Sequence, residues 1–156
     1  MSKSYSLYQP KEFIPLIFDS PHSGQSYPEE FNFTCDRGAL EKAEDKYVDD
    51  LFNHATNIGA PLLCANFPRS FLDVNRAVDD IDEELLSEPW PEHYDIMPAP
   101  SNRSYAGIGL IRRLVQPGVP VYDHALAPKE IYQRIQAGDP IEEAGTQTDD
   151  VPAEGE

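Results

Sequence analysis

The chain has 156 residues, a length that fits one domain and buries roughly 68 to 70% of the unfolded surface, enough for a hydrophobic core without covalent cross-links. Its 28 acidic against 12 basic residues give a formal charge of −16, which repels nucleic acid and anionic membranes, and no local basic patch overrides it. The two cysteines, Cys35 and Cys64, form no C-x-x-C pair. No apolar stretch approaches the roughly 18 residues of a membrane span or follows a basic start as in a signal peptide, so a cytoplasmic protein with reduced thiols is expected.

Residues 14–18 are a short apolar run containing a proline, followed by the turn formers Asp19, Ser20, Pro21, His22, Ser23 and Gly24. A buried strand and its C-terminal loop are expected there. Over residues 40–55, Leu40, Ala43, Tyr47, Val48, Leu51, Phe52 and Ala55 recur at helical spacing, with Gly59 beyond them as a stop signal, which predicts a helix. Residues 61–67 and 70–74 read as strands, the second carrying Asp73 among Phe71, Leu72 and Val74. Strand, helix, strand points to an α/β sheet.

Residues 79–88 are acidic and read as helical, while residues 89–104, rich in proline around the lone Trp90, read as a long loop. Two short strands over residues 107–115 and 119–122 turn at Pro117 and Gly118, and residues 128–136 form a last short helix. From about Gly138 onward the chain is small and acidic, with too little apolar surface to offset the entropy of ordering, so disorder is expected. The division is therefore a domain over residues 1–136 and an acidic tail over residues 137–156.

His22 falls just past a predicted strand, where ligands bind in open α/β sheets. A catalytic zinc needs about three protein ligands and an open position, so a carboxylate is sought nearby. A helical wheel over residues 40–55 places Glu44 in the middle of the apolar arc and Asp45 at its edge, with Asp49 and Asp50 toward solvent; periodicity does not choose between Glu44 and Asp45. Arg69, Asp73, Asn75 and Arg76 form a second group. A guanidinium grips a carboxylate bidentately or stabilises a developing oxyanion, and Asp73 among apolar neighbours needs an arginine partner. A structural salt-bridge cluster at a strand end is the competing reading.

His54, His93 and His124 have no motif around them, and Gly107-Ile108-Gly109 lacks the third glycine and following helix of a phosphate loop. The cysteines have no neighbouring base in sequence and read as small core fillers.

The order FDSPHSG, EDKYVDDLF, NFPRSFLDVNRAVDDID, GIGLIRR, GVPVYD resembles the N-formylglutamate amidohydrolase family over residues 14–136. The resemblance implies a partial phosphorylase/hydrolase-like (zinc carboxypeptidase-like) mixed sheet with flanking helices. It further implies a zinc cofactor held by His22 and Asp45, Arg69 facing the carbonyl oxygen under attack, and Asn75 with Arg76 binding a substrate carboxylate. Arg112 and Arg113 are further candidates for a dicarboxylate. The partner implied is a small-molecule N-acyl amino acid, N-formyl-L-glutamate first, with no nucleic acid and no membrane.

The family's second half supplies a third, histidine ligand and an acidic base, and residues 137–156 match neither, so the sequence reads as an amino-terminal half. Three readings follow: an amidohydrolase completed by His93, His124, a homo-oligomer or a complementing chain; an inactive fragment that retains carboxylate binding; and an acidic interaction protein acting through its tail.

Overall fold

A computed structural model of the chain describes residues 3–138. It is a mixed α/β structure of short elements. Strands β1 (Tyr5–Tyr8), β2 (Phe18–Ser20) and β3 (Leu62–Ala65) form a sheet of order β1-β3-β2, β1 antiparallel and β2 parallel to the central strand. The register pairs Phe18 with Leu62 and Ser20 with Cys64, so the loops after β2 and β3 leave the sheet at the same end. That parallel pairing brings His22 beside the segment from Arg69 to Arg76.

The strand expected over residues 14–18 begins later: Ile14, Leu16 and Ile17 are exposed, and β2 starts at Phe18. Pro15 has no N–H to give to a ladder, and the segment is tied instead by Ile14 N to Gly59 O and Phe18 N to Pro61 O, both 2.9 Å. The strand over residues 61–67 is present as β3, with Leu62 and Cys64 buried against Ala55 and Ala60.

The single helix expected over residues 40–55 is broken. It is replaced by α1 (Arg37–Lys42), α2 (Val48–Leu51) and a 3-10 turn at Ala55–Ile58. Asp36 caps α1 by accepting from Ala39 N at 3.1 Å. Between the two helices the backbone is diverted to the His22 loop: Asp45 N donates to His22 O at 3.2 Å and Ser23 Oγ donates to Asp45 O at 2.7 Å. Tyr47, at φ 66°, makes the left-handed bend that restarts the helix. Tertiary bonds take the groups a continuous helix would pair internally.

Residues 70–74 form a turn rather than a strand, with Phe71 N bonded to Pro68 O and Arg76 N to Asp73 O. The run is apolar because Phe71 and Leu72 enter the core from that turn. Within residues 79–88 only a 3-10 turn, Glu83–Leu85, is helical. The proline-rich stretch is a loop as expected, pinned by Trp90 Nε1 on Ile96 O at 2.7 Å, and α3 (Asn102–Tyr105) begins in its last residues. The hairpin at Pro117 and Gly118 is present but shorter, β4 (Leu114–Gln116) with β5 (Val119–Pro120). The last helix is α4 (Pro128–Gly138), which seats Ile131 and Ile135 against the core.

The core is centred on Phe31, whose ring lies 5.4 Å from Phe71 and 6.1 Å from Tyr122. Arg134 of α4, nearly buried, stacks 4.6 Å over Phe71 and donates to Tyr122 Oη at 2.8 Å. Cys64 is buried and Cys35 half-buried, both unpaired, and burial pushes both thiols up, in keeping with core fillers. Among the described residues no helix is long and apolar enough to cross a membrane. The expected disorder from about Gly138 onward lies essentially outside the described residues.

Candidate active site

Gly24 fixes the loop after β2. A side chain there would overlap the Phe67 carbonyl oxygen and the backbone of Ala65 and Asn66, so the loop lies flat against the end of β3. Ser20 Oγ bonds Ser23 Oγ at 2.9 Å inside the turn, and the His22 side chain is left only 9% exposed, aimed at the neighbouring loop.

Two carboxylates meet that ring. His22 Nε2 lies 2.8 Å from Asp73 Oδ1, and His22 Nδ1 lies 3.0 Å from Asp45 Oδ2. Asp73 is fully buried, whereas the Asp45 side chain is 53% exposed. Arg69 bridges the two, Nη1 to Asp45 Oδ2 at 3.2 Å and Nη2 to Asp73 Oδ2 at 2.9 Å. Asn75 N donates to Asp73 Oδ1 at 3.1 Å, and Arg76 Nη2 stands 3.7 Å from Asp73 Oδ2. Burial works against the Asp73 charge, but the bonds from His22 and Arg69 outweigh it and hold the carboxyl well below the usual aspartate range.

The donor inventory of this cluster is informative. An imidazole with a single N–H satisfies only one of the two carboxylates: in the tautomer that gives it to Asp73 from Nε2, Nδ1 presents a lone pair to Asp45 Oδ2 and two acceptors face each other at 3.0 Å. Such a pair needs a cation or a proton between its atoms. Two ligand bonds of about 2.0 to 2.2 Å meeting near the tetrahedral angle leave their donors about 3.3 to 3.6 Å apart, so His22 Nδ1 and Asp45 Oδ2 would have to part by a few tenths of an ångström to hold a zinc ion between them, with Asp73 behind the ring. Among the described residues no third His, Cys, Asp or Glu joins them in a metal-holding group.

Of the other sequence candidates, Glu44 is buried and turned away, accepting from the Tyr27 hydroxyl, with burial raising its pKa. His93 packs edge-on against Tyr94 and His124 is held by Asp123 at 2.8 Å, so neither joins the His22 cluster. His54 is exposed beside Asn57. Arg113 pairs with Asp82 at 2.6 Å and Glu84 at 2.9 Å and belongs to a different network. Asn75 and Arg76 line a largely apolar cavity of about 530 Å³, together with Tyr5, Leu63, Leu72 and Leu110. The contact of Asp73 with His22 is absent from the sequence reading; the only signal for it is an aspartate set four residues after one arginine and three before another.

The order of these motifs and their geometry can be set beside known proteins. The sequence pattern of the family described as N-formylglutamate amidohydrolase matches residues 14–138. The chain belongs to the N-formylglutamate amidohydrolase family. No curated protein matches it. Among solved structures it is similar to the crystal structure of N-formylglutamate amidohydrolase from Ralstonia eutropha JMP134, at 38% identity and a TM-score of 0.83, over 91% of this chain and 50% of that one. The chain thus spans half the length of that N-formylglutamate amidohydrolase, and its mixed α/β fold is shared with it.

Proposed function

We propose that the cluster around His22 is the zinc-binding half of an amidohydrolase site that releases formate from N-formyl-L-glutamate or a related N-acyl amino acid. The observation that carries the reading is the convergence of His22 Nδ1 and Asp45 Oδ2 at 3.0 Å, with the far ring nitrogen on buried Asp73. The family membership and the solved relative support the substrate class. A zinc carboxypeptidase-like arrangement of the sheet belongs to the same proposal, as does a third ligand from outside the described residues.

When bound, zinc supplies Lewis acidity and makes a water acidic enough to lose its proton near neutral pH. The chain's own residues do the rest. Asp73 accepts the Nε2 proton of His22 and so keeps the Nδ1 lone pair on the metal side. Arg69, whose guanidinium already reaches the Asp45 carboxylate, stabilises the negative charge that develops on the formyl oxygen as water adds to the formyl carbon. The carbon–nitrogen bond then breaks, the amine takes a proton, and formate and the amino acid are released. Asn75 and Arg76, at the wall of the apolar cavity, hold a substrate carboxylate and orient the amide.

A second reading, carboxylate binding without turnover, is favoured by the ligand count of two among the described residues, one short of a catalytic zinc site. A calorimetric zinc titration of the full chain with His22→Ala as control, followed by a formate-release assay, separates the two. One equivalent of zinc bound through His22, with formate release, establishes the amidohydrolase reading. Weak binding indifferent to His22 leaves the carboxylate binder.

A further inference from the structure

Arg112 is 8% exposed, and its Nε is buried without a hydrogen-bond partner. Among the described residues no carboxylate lies at salt-bridge distance from it, while its neighbour Arg113 holds two. The backbone puts it beside the candidate site. Arg112 pairs across a short bridge with Ile108, whose carbonyl accepts from Arg76 Nε at 3.3 Å, and Leu110 O accepts from Asp73 N at 2.9 Å.

Arg69, Arg76, Asp73 and Asp45 are charged groups in its neighbourhood. Three guanidinium groups therefore share this part of the molecule with those two carboxylates, and both carboxylates are already engaged by His22 and Arg69. Arg76 is engaged as well, through Ile108 O, Asn75 O and Asp73. Arg112 is left as a buried cation beside two others. A protein does not gain stability from such an arrangement, because an uncompensated buried charge costs several kcal/mol. In a chain of charge −16 it makes a local positive field with unspent donors.

We infer that Arg112 is a carboxylate-binding residue, matched to the second carboxylate of a dicarboxylic ligand whose first is held by Asn75 and Arg76. This rests on the proposed reading of Asn75 and Arg76. It assigns to Arg112 the selection of a dicarboxylate over a monocarboxylate of the same length.

The test uses the full chain with glutarate and valerate, five-carbon acids that differ in the second carboxylate, and compares wild type with Arg112→Met and Arg112→Lys by calorimetry and thermal melting. Wild type should bind glutarate roughly 10- to 100-fold more tightly than valerate, as a charged hydrogen-bond pair provides. Arg112→Met should erase that preference while leaving valerate binding unchanged, and should melt without ligand at the wild-type temperature or above it. Arg112→Lys should keep part of the preference.

A wild-type chain with no preference for glutarate overturns the inference. So does an Arg112→Met protein that keeps the preference, loses both ligands equally, or fails to fold, since the last two are what a structural arginine does. Formate release from N-formyl-L-glutamate is measured separately. Release without an Arg112-dependent glutarate preference removes this inference and leaves the amidohydrolase reading standing, and the preference without release does the reverse.

Discussion

Two buried aspartates, seven residues apart, each organise a polar network, and they do it in opposite ways. Asp80 is 3% exposed and is met by neutral donors: Ser101 N at 2.7 Å, Ser101 Oγ at 3.0 Å and Ser104 Oγ at 2.6 Å. Asp73 is fully buried and is met by His22, Arg69 and, at longer range, Arg76. Around Asp80 the donors are used up within the loop, which ties residues 101–104 to the turn before Ile81. Around Asp73 they are in excess: Arg69 Nε and Arg112 Nε are buried without partners, and Asp45 stands half out in solvent. A closed network holds a fold together, whereas one with surplus charge and unspent donors is built to receive something.

Substitutions should separate the two networks, the largest effect coming from the charged one. Asp73→Ala removes the anion that Arg69 and Arg76 share, leaving Arg76 without a carboxylate and Arg69 with only the half-exposed Asp45, so a loss of about 3 kcal/mol is expected in denaturant unfolding. The same change should abolish His22-dependent zinc binding, because nothing then fixes the ring.

Asp80→Ala should cost roughly 1 to 2 kcal/mol by removing the acceptor of Ser101 N and Ser101 Oγ and leaving Ser104 Oγ only the Asp80 carbonyl, and should leave zinc and carboxylate binding untouched. The acid limb carries the same contrast. Burial opposes the Asp80 charge, but the bonds from Ser104 and Ser101 outweigh it and the pKa is lowered on folding. Its stabilisation is therefore present above the unfolded value of about 3.9 and is lost as pH falls through the folded one. Asp80→Asn should flatten the unfolding curve below about pH 4 without changing its neutral plateau shape.

Arg113→Met tests the neighbour of the unpaired arginine. It loses its pairs with Asp82 and Glu84 and should destabilise the chain by about 1 kcal/mol in the same unfolding assay, the opposite direction from Arg112→Met. The smallest change is expected at Glu44. Burial raises its pKa, so its charged form opposes folding at neutral pH, the favourable contribution lying below the unfolded value of about 4.3 and vanishing as pH rises. Glu44→Gln keeps an acceptor for the Tyr27 hydroxyl and should raise stability by no more than about 0.5 kcal/mol.

Much of the site was legible in the sequence because its parts are local. The loop SPHSG announces a tight turn carrying a histidine, and Arg69, Asp73 and Arg76 lie on one short segment whose charges had to find one another. The helical wheel over residues 40–55 failed for a reason that periodicity does not contain. It assumes the helix pairs its own backbone, and here Asp45 N and O are bonded to the His22 loop, so Asp45 is displayed by a break rather than by a helix face. The strand expected at residues 70–74 failed likewise, since an apolar run records burial and not backbone geometry.

Alone, the sequence determined the charge of the chain, the turns at Gly24, Gly59 and Gly118, the last helix, and the family motifs with their order. These rest on composition, on backbone freedom at single residues, and on patterns within a few residues. Only the tertiary structure decided that Asp73 stands behind His22, that Glu44 is turned to Tyr27, and that of two adjacent arginines Arg113 is paired and Arg112 is not. Those distinctions depend on the parallel register of β2 with β3 and on the docking of residues 108–112 against residues 73–76, contacts between segments far apart in the chain that no local pattern encodes.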